Sequence, residues 1–134
     1  MATVSVQRHI DVSPDQAWEA LADWGGLHER LVPGFVTDVQ LDGGDRLVTF
    51  FTGMTLRERL IGSDGEQRRL AWSILDGPYS HHNGVGQMFA EPDGGTRFVW
   101  TADLLPDEAA AQTQQMMERG IDTAKATLEQ AAAG

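Results

Sequence analysis

The sequence predicts an α+β domain in which one strand and two short helices precede six antiparallel strands and one long helix closes the chain. Three observations carry that prediction. Residues 3–10 alternate apolar and polar, turn chemistry recurs five times between residues 35 and 105, and apolar residues from Ala110 to Leu128 return at steps of three and four.

Val4, Val6 and Ile10 alternate with Ser5, Gln7 and His9, the period of a half-buried strand. Ser13-Pro14-Asp15-Gln16 then supplies a helix N-cap, a proline at the first helical position and a glutamine at the third, ahead of Ala17, Trp18, Leu21 and Ala22. Trp24-Gly25-Gly26 interrupts this helix. Residues 27–31 can form a second short helix, which Pro33-Gly34 ends because proline disfavours helix at the residue before it. Extended runs are expected near 35–41, 46–52, 54–62, 67–76, 81–91 and 95–105, divided by Asp42-Gly43-Gly44, Gly53, Ser63-Asp64-Gly65, Asp76-Gly77-Pro78 and Asp93-Gly94-Gly95. Connections this short make neighbouring strands antiparallel. After Pro106-Asp107 a helix is expected to about Gln130, with Thr113, Met117, Ile121, Ala124 and Leu128 on one face and residues 131–134 as a frayed tail.

The chain has 134 residues, enough for one domain, 1–134, that buries roughly two-thirds of its unfolded surface. Cysteine is absent, which excludes disulfides, zinc–thiolate sites, iron–sulfur clusters and thiol nucleophiles. A formal charge of −10 works against binding phosphate backbones, so nucleic acid is not an expected partner. No run approaches the ~18 to 20 apolar residues of a membrane span, and a cytoplasmic location is the expectation. No cofactor is expected, and the sequence leaves homodimerisation open. Gly84-Val85-Gly86 lacks both the third glycine and the strand-to-helix setting of a dinucleotide motif, and there is no phosphate loop, metalloprotease helix or nucleophile elbow.

The order of elements, together with Ile10-Asp11-Val12-Ser13-Pro14, Ala17-Trp18, Leu21, Asp23-Trp24, Pro33, Arg46, Glu58-Arg59-Leu60, Asp93-Gly94-Gly95-Thr96, Trp100 and Gly120, resembles the polyketide cyclase/dehydrase branch of the START-related, pollen-allergen-like SRPBCC superfamily. The resemblance spans nearly the whole chain. It implies a helix-grip fold, in which a curved seven-stranded sheet wraps around the C-terminal helix, and an internal site for an apolar small molecule.

Strand parity nominates the residues of that site. In 54–62, Met54, Leu56, Glu58 and Leu60 share the inward parity; if Gly53 takes the left-handed position of a three-residue hairpin loop, Arg46 falls opposite Glu58. The pair is either a structural ion pair at the rim or a device that orients a ligand's polar group. Met88 and Ala90 inward place His82, Gly84 and Gly86 on the same side, where the glycines mark either a bend or room for a ligand. Trp72, Phe98 and Trp100 point inward as core or as a stacking surface, and Met117 and Gly120 face them from the helix. His28 is placed near the mouth, and Tyr79 is the only tyrosine. His81 and His82 are adjacent on an extended segment and diverge, so no metal site is expected. Arg57, Arg59, Arg69 and Arg97 take the outward parity, as a solvated face or a docking patch.

Two functions fit the inward residues, and a protein-interaction module using the arginine face is a third. The resemblance implies a cyclase, aromatase or dehydrase in which Arg46 or Tyr79 polarises a carbonyl while His82 or Glu58 moves a proton. The alternative is a carrier or sensor of a lipid, quinone or other apolar ligand in a pocket of roughly 300 to 1,000 Å³.

Overall fold

The computed structural model describes residues 1–134 and has the predicted order of elements. Strand β1 (Ala2–Ile10) leads into helix α1 (Pro14–Ala22), a 3₁₀ turn (Trp24–Gly26) and a π turn (Leu27–Leu31). Strands β2 (Val36–Asp42), β3 (Asp45–Phe50), β4 (Thr55–Asp64), β5 (Arg69–Ile74), β6 (His81–Ala90) and β7 (Thr96–Leu105) follow, and after a 3₁₀ turn (Asp107–Ala109) the chain ends in α2 (Ala110–Ala133). Helix α1 begins as the sequence specifies: Ser13 and Gln16 form a reciprocal capping box with Pro14 in the first turn. Helix α2 continues through the three alanines after Gln130, the residue type of highest helix propensity.

All seven strands form one antiparallel sheet in the order β1-β7-β6-β5-β4-β3-β2. The first strand therefore pairs with the last, and the sheet curls around α2 as a helix-grip fold. Met117, Gly120, Ile121, Ala124 and Leu128 form the buried face of α2, which packs chiefly on β1 and β7 and on the π turn. Ile10, Val48, Leu70, Met88, Phe98 and Leu104 supply the concave face of the sheet. Because α2 leans toward the β1–β7 side, the space between the helix and β3–β6 is closed by side chains alone.

Two local departures from the expected strands have geometric causes. Strand β3 stops at Phe50, since Gly53 adopts φ +89° and its N–H donates to the Phe50 carbonyl while the Phe50 N–H donates to the Met54 carbonyl, which makes residues 51–53 the loop. Leu60 was expected to face the helix with Leu56 but is 39% exposed, next to a β-bulge that shifts the β4–β5 register between Leu60 and Gly62. On the convex face Asp45 accepts hydrogen bonds from both Arg57 and Arg59, which hold its carboxyl below the usual carboxylate range.

Candidate functional site

Between α2 and the sheet lies a cavity of about 100 Å³ lined by 22 residues, 17 of them hydrophobic. It is smaller than the roughly 300 to 1,000 Å³ typical of small-molecule sites. The reason lies in its walls. Phe50, Met54, Trp100, Met116 and Met117 project into the gap between helix and sheet, and three of the five are flexible methionines.

A polar row crosses this apolar lining. The Gly53 turn sets the β3–β4 register so that Arg46 pairs with Glu58, and both are inward and buried. Arg46 Nε donates to Glu58 Oε1 at 2.9 Å, Nη2 lies 2.8 Å from the same oxygen, and Nη1 donates to the Trp24 carbonyl at 3.1 Å. The Trp24 ring stacks on the guanidinium, 3.7 Å from its centre. Burial pulls the Arg46 pKa down from its ordinary value while the Glu58 charge pulls it up; an arginine stays charged in either case.

On the next strand Ile74 stands opposite Glu58, and the Ile74 N–H donates to His82 Nδ1 at 3.2 Å. A neutral His82 ring with Nδ1 as acceptor carries its proton on Nε2. Burial, reinforced by the neighbouring His81, lowers the His82 pKa from 6.5 to about 4. Tyr79 stacks obliquely on His82 with ring centres 5.0 Å apart, and its hydroxyl hydrogen-bonds Thr113 of α2 at 2.7 Å. Burial raises the Tyr79 pKa, the Thr113 bond opposes that rise and the Glu58 charge adds to it.

The structure brings Arg46, Glu58, His82, Tyr79, Trp72, Trp100, Phe98, Met117 and Gly120 together around the cavity and leaves Gly84, Gly86, Met88 and His28 outside its lining. Gly84 and Gly86 point inward as parity requires, but they do not make room for a ligand. A β-carbon on Gly84 would meet the Trp72 ring at 3.0 Å, and one on Gly86 would meet Leu21 and Phe98 at 3.3 Å. Trp72 is the cross-strand partner of Gly84 and Trp100 that of Gly86, so each glycine sits beside an indole from a neighbouring strand. Gly86→Leu is accordingly expected to cost about 1 to 3 kcal/mol in urea unfolding through overpacking; an unchanged unfolding midpoint would contradict this account. Met88 is sealed in the core at 1% exposure, and His28 on the π turn has its Nε2 3.2 Å from Glu29.

Sequence reasoning did not assign Trp24, Phe35, Phe50 or Thr113 to the site. Thr113 carried a signal, being the one polar residue on the apolar stripe of α2. Trp24 carried none, because a tryptophan before two glycines reads as a helix end.

Comparison with known proteins places the fold and the family. The solved structure of the protein XoxI from Bacillus cereus superposes with a TM-score of 0.85 at 21% identity, covering 96% of this chain and 97% of that one. A protein from Nitrosospira multiformis gives 0.84 at 15% identity over 99% and 100% of the two chains, and one from Thermobifida fusca gives 0.76 at 23% over 96% and 91%. At these identities the likeness is one of fold. No curated protein matches the chain significantly. A family model, described as polyketide cyclase / dehydrase and lipid transport, matches residues 1–129. Spanning nearly the whole helix-grip domain, that match shows that the chain belongs to the polyketide cyclase/dehydrase and lipid transport family of the SRPBCC superfamily.

Proposed function

We propose that the protein binds an apolar small molecule in the cavity between α2 and the sheet and releases it chemically unchanged. The observation that carries this reading is the lining itself: 17 of 22 residues are hydrophobic, and the charged or ionisable Arg46, Glu58 and His82 all come from the sheet. Such a site is driven by apolar burial and uses its few polar groups for orientation.

These polar groups support proton-transfer catalysis less well. A general base works best with a pKa near the operating pH, and burial holds His82 at about 4. Two nitrogens of Arg46 engage Glu58 Oε1 and the third donates to the Trp24 carbonyl, so the guanidinium cannot turn toward a reacting carbonyl without breaking the pair. Tyr79 shares its hydroxyl with Thr113.

A volume of about 100 Å³ suits a single ring, for comparison with the roughly 150 Å³ engineered cavity that holds benzene; larger ligands would need the methionines to move. Toluene is therefore the probe. Its titration, followed by backbone amide shifts, is expected to saturate and to move resonances of α2 and of β4–β6. Met116→Trp, which adds an indole at the partly buried edge of the cavity, is expected to abolish that response in a folded protein. A response of the same size and affinity in a folded Met116→Trp variant would overturn the assignment of the site.

A further inference from the structure

Glu58 and His82 are both buried to more than nine-tenths, yet each has one polar atom without a partner in the protein. Glu58 uses Oε1 for Arg46, and Oε2 accepts no hydrogen bond. His82 uses Nδ1 for the Ile74 N–H, and Nε2 donates none. The only fully sealed side-chain polar atom that lacks a partner is His28 Nδ1, away from the cavity, so Oε2 and Nε2 keep accessible surface, and both residues line the cavity. Both atoms therefore face the cavity space, where a ligand atom can meet them.

The two atoms are chemically complementary and spatially linked. Glu58 on β4 stands across from Ile74 on β5, and Ile74 holds the His82 ring of β6, so a carboxylate acceptor and an imidazole N–H donor flank one residue on the concave face. A ligand group that satisfies both must donate one hydrogen bond and accept one. A hydroxyl does so. A carboxylate can only accept, and it would bring a second negative charge to Glu58 in a chain whose formal charge is already −10. Arg46 is the only lysine or arginine in the cavity lining and its charge is already offset by Glu58, so a ligand carboxylate would have no cation of its own.

Resting on the binding function proposed above, we propose that the cavity selects neutral apolar alcohols or phenols over hydrocarbons and carboxylates, the ligand hydroxyl donating to Glu58 Oε2 and accepting from His82 Nε2–H. Tyr79 and Thr113 close the adjacent wall through their own hydrogen bond and leave the hydroxyl to Glu58 and His82.

Three probes of one shape test the selection: toluene, p-cresol and p-toluate, titrated separately at pH 7 with amide shifts as the readout. p-Cresol is expected to bind about tenfold more tightly than toluene, the increment of one charge-assisted hydrogen bond, and p-toluate more weakly than toluene. In Glu58→Gln, which removes the charge and keeps the volume, the preference for p-cresol over p-toluate should fall at least tenfold. Equal affinities for the three probes in the native protein would overturn the selection while leaving the cavity as an apolar site. Binding of p-toluate more tightly than p-cresol would overturn the assigned roles of Glu58 and Arg46. Binding of none of the three would overturn the cavity reading and this one together.

Discussion

Arg46→Met is expected to lower the unfolding free energy by about 3 to 5 kcal/mol at neutral pH, the cost of leaving a buried carboxylate without its partner. The magnitude follows from how little else attends Glu58. Its side chain is 6% exposed, its only protein hydrogen bond comes from Arg46, and the guanidinium is held against it by the Trp24 ring and carbonyl. Removing the arginine also strips the Trp24 carbonyl of its donor. Arg46→Met combined with Glu58→Leu removes both charges and should recover most of the loss, because a buried ion pair is often replaced by apolar residues at little cost. Urea unfolding of the three proteins at pH 7 measures all of this. An Arg46→Met variant as stable as the native protein would mean that the pair contributes nothing to the fold.

Much of this site follows from local rules. The alternation of Leu56, Glu58 and their outward neighbours, joined to a glycine that must turn the chain at residue 53, is enough to set Arg46 against Glu58. Parity likewise turns His82 inward, since its two-residue steps lead to Gly84, Gly86 and Met88. Parity fails where the register slips: β4 bulges between Leu60 and Gly62, and the only mark of it in the sequence is the glycine itself, which does not say where the pairing shifts. It is equally silent on what fills a gap. The spaces left by Gly84 and Gly86 are taken by Trp72 and by Leu21 and Phe98, residues 12 to 65 positions away, so inward glycines mark close packing here instead of an empty pocket. Cavity volume is the least legible quantity of all. It is the small difference between the helix–sheet separation and the summed volumes of side chains from six strands, two helices and the turns between them, and a few rotamers of Met54, Met116 and Met117 change it.

The largest pH effect is expected from His82. Burial lowers its pKa to about 4 in the folded protein against 6.5 in the unfolded chain. Below 6.5 the unfolded chain takes up a proton that the folded protein refuses, so stability falls as the pH drops from 6.5 toward 4 and is fully retained above 6.5. That interval is worth roughly 3 kcal/mol, of which about 2 should be gone by pH 5. The groups that meet the ring are Tyr79 and the Ile74 amide, with Glu58 one strand away and His81 as the charge that reinforces the shift. Asp45 and Glu129, whose carboxyls are held low by Arg59 and Arg57 and by Lys125 respectively, also lose stability in acid, but only as the pH falls through and below their ordinary values near 4. The window between 6.5 and 5 therefore isolates the imidazole. His82→Asn keeps an acceptor for the Ile74 amide and carries no titrating group, so its unfolding free energy should change about 2 kcal/mol less than that of the native protein across this window. Parallel slopes for the two proteins would show that His82 is protonated in the folded state at pH 5, and a charged ring would have to donate from both nitrogens, in conflict with the Ile74 hydrogen bond that fixes its orientation in the cavity wall.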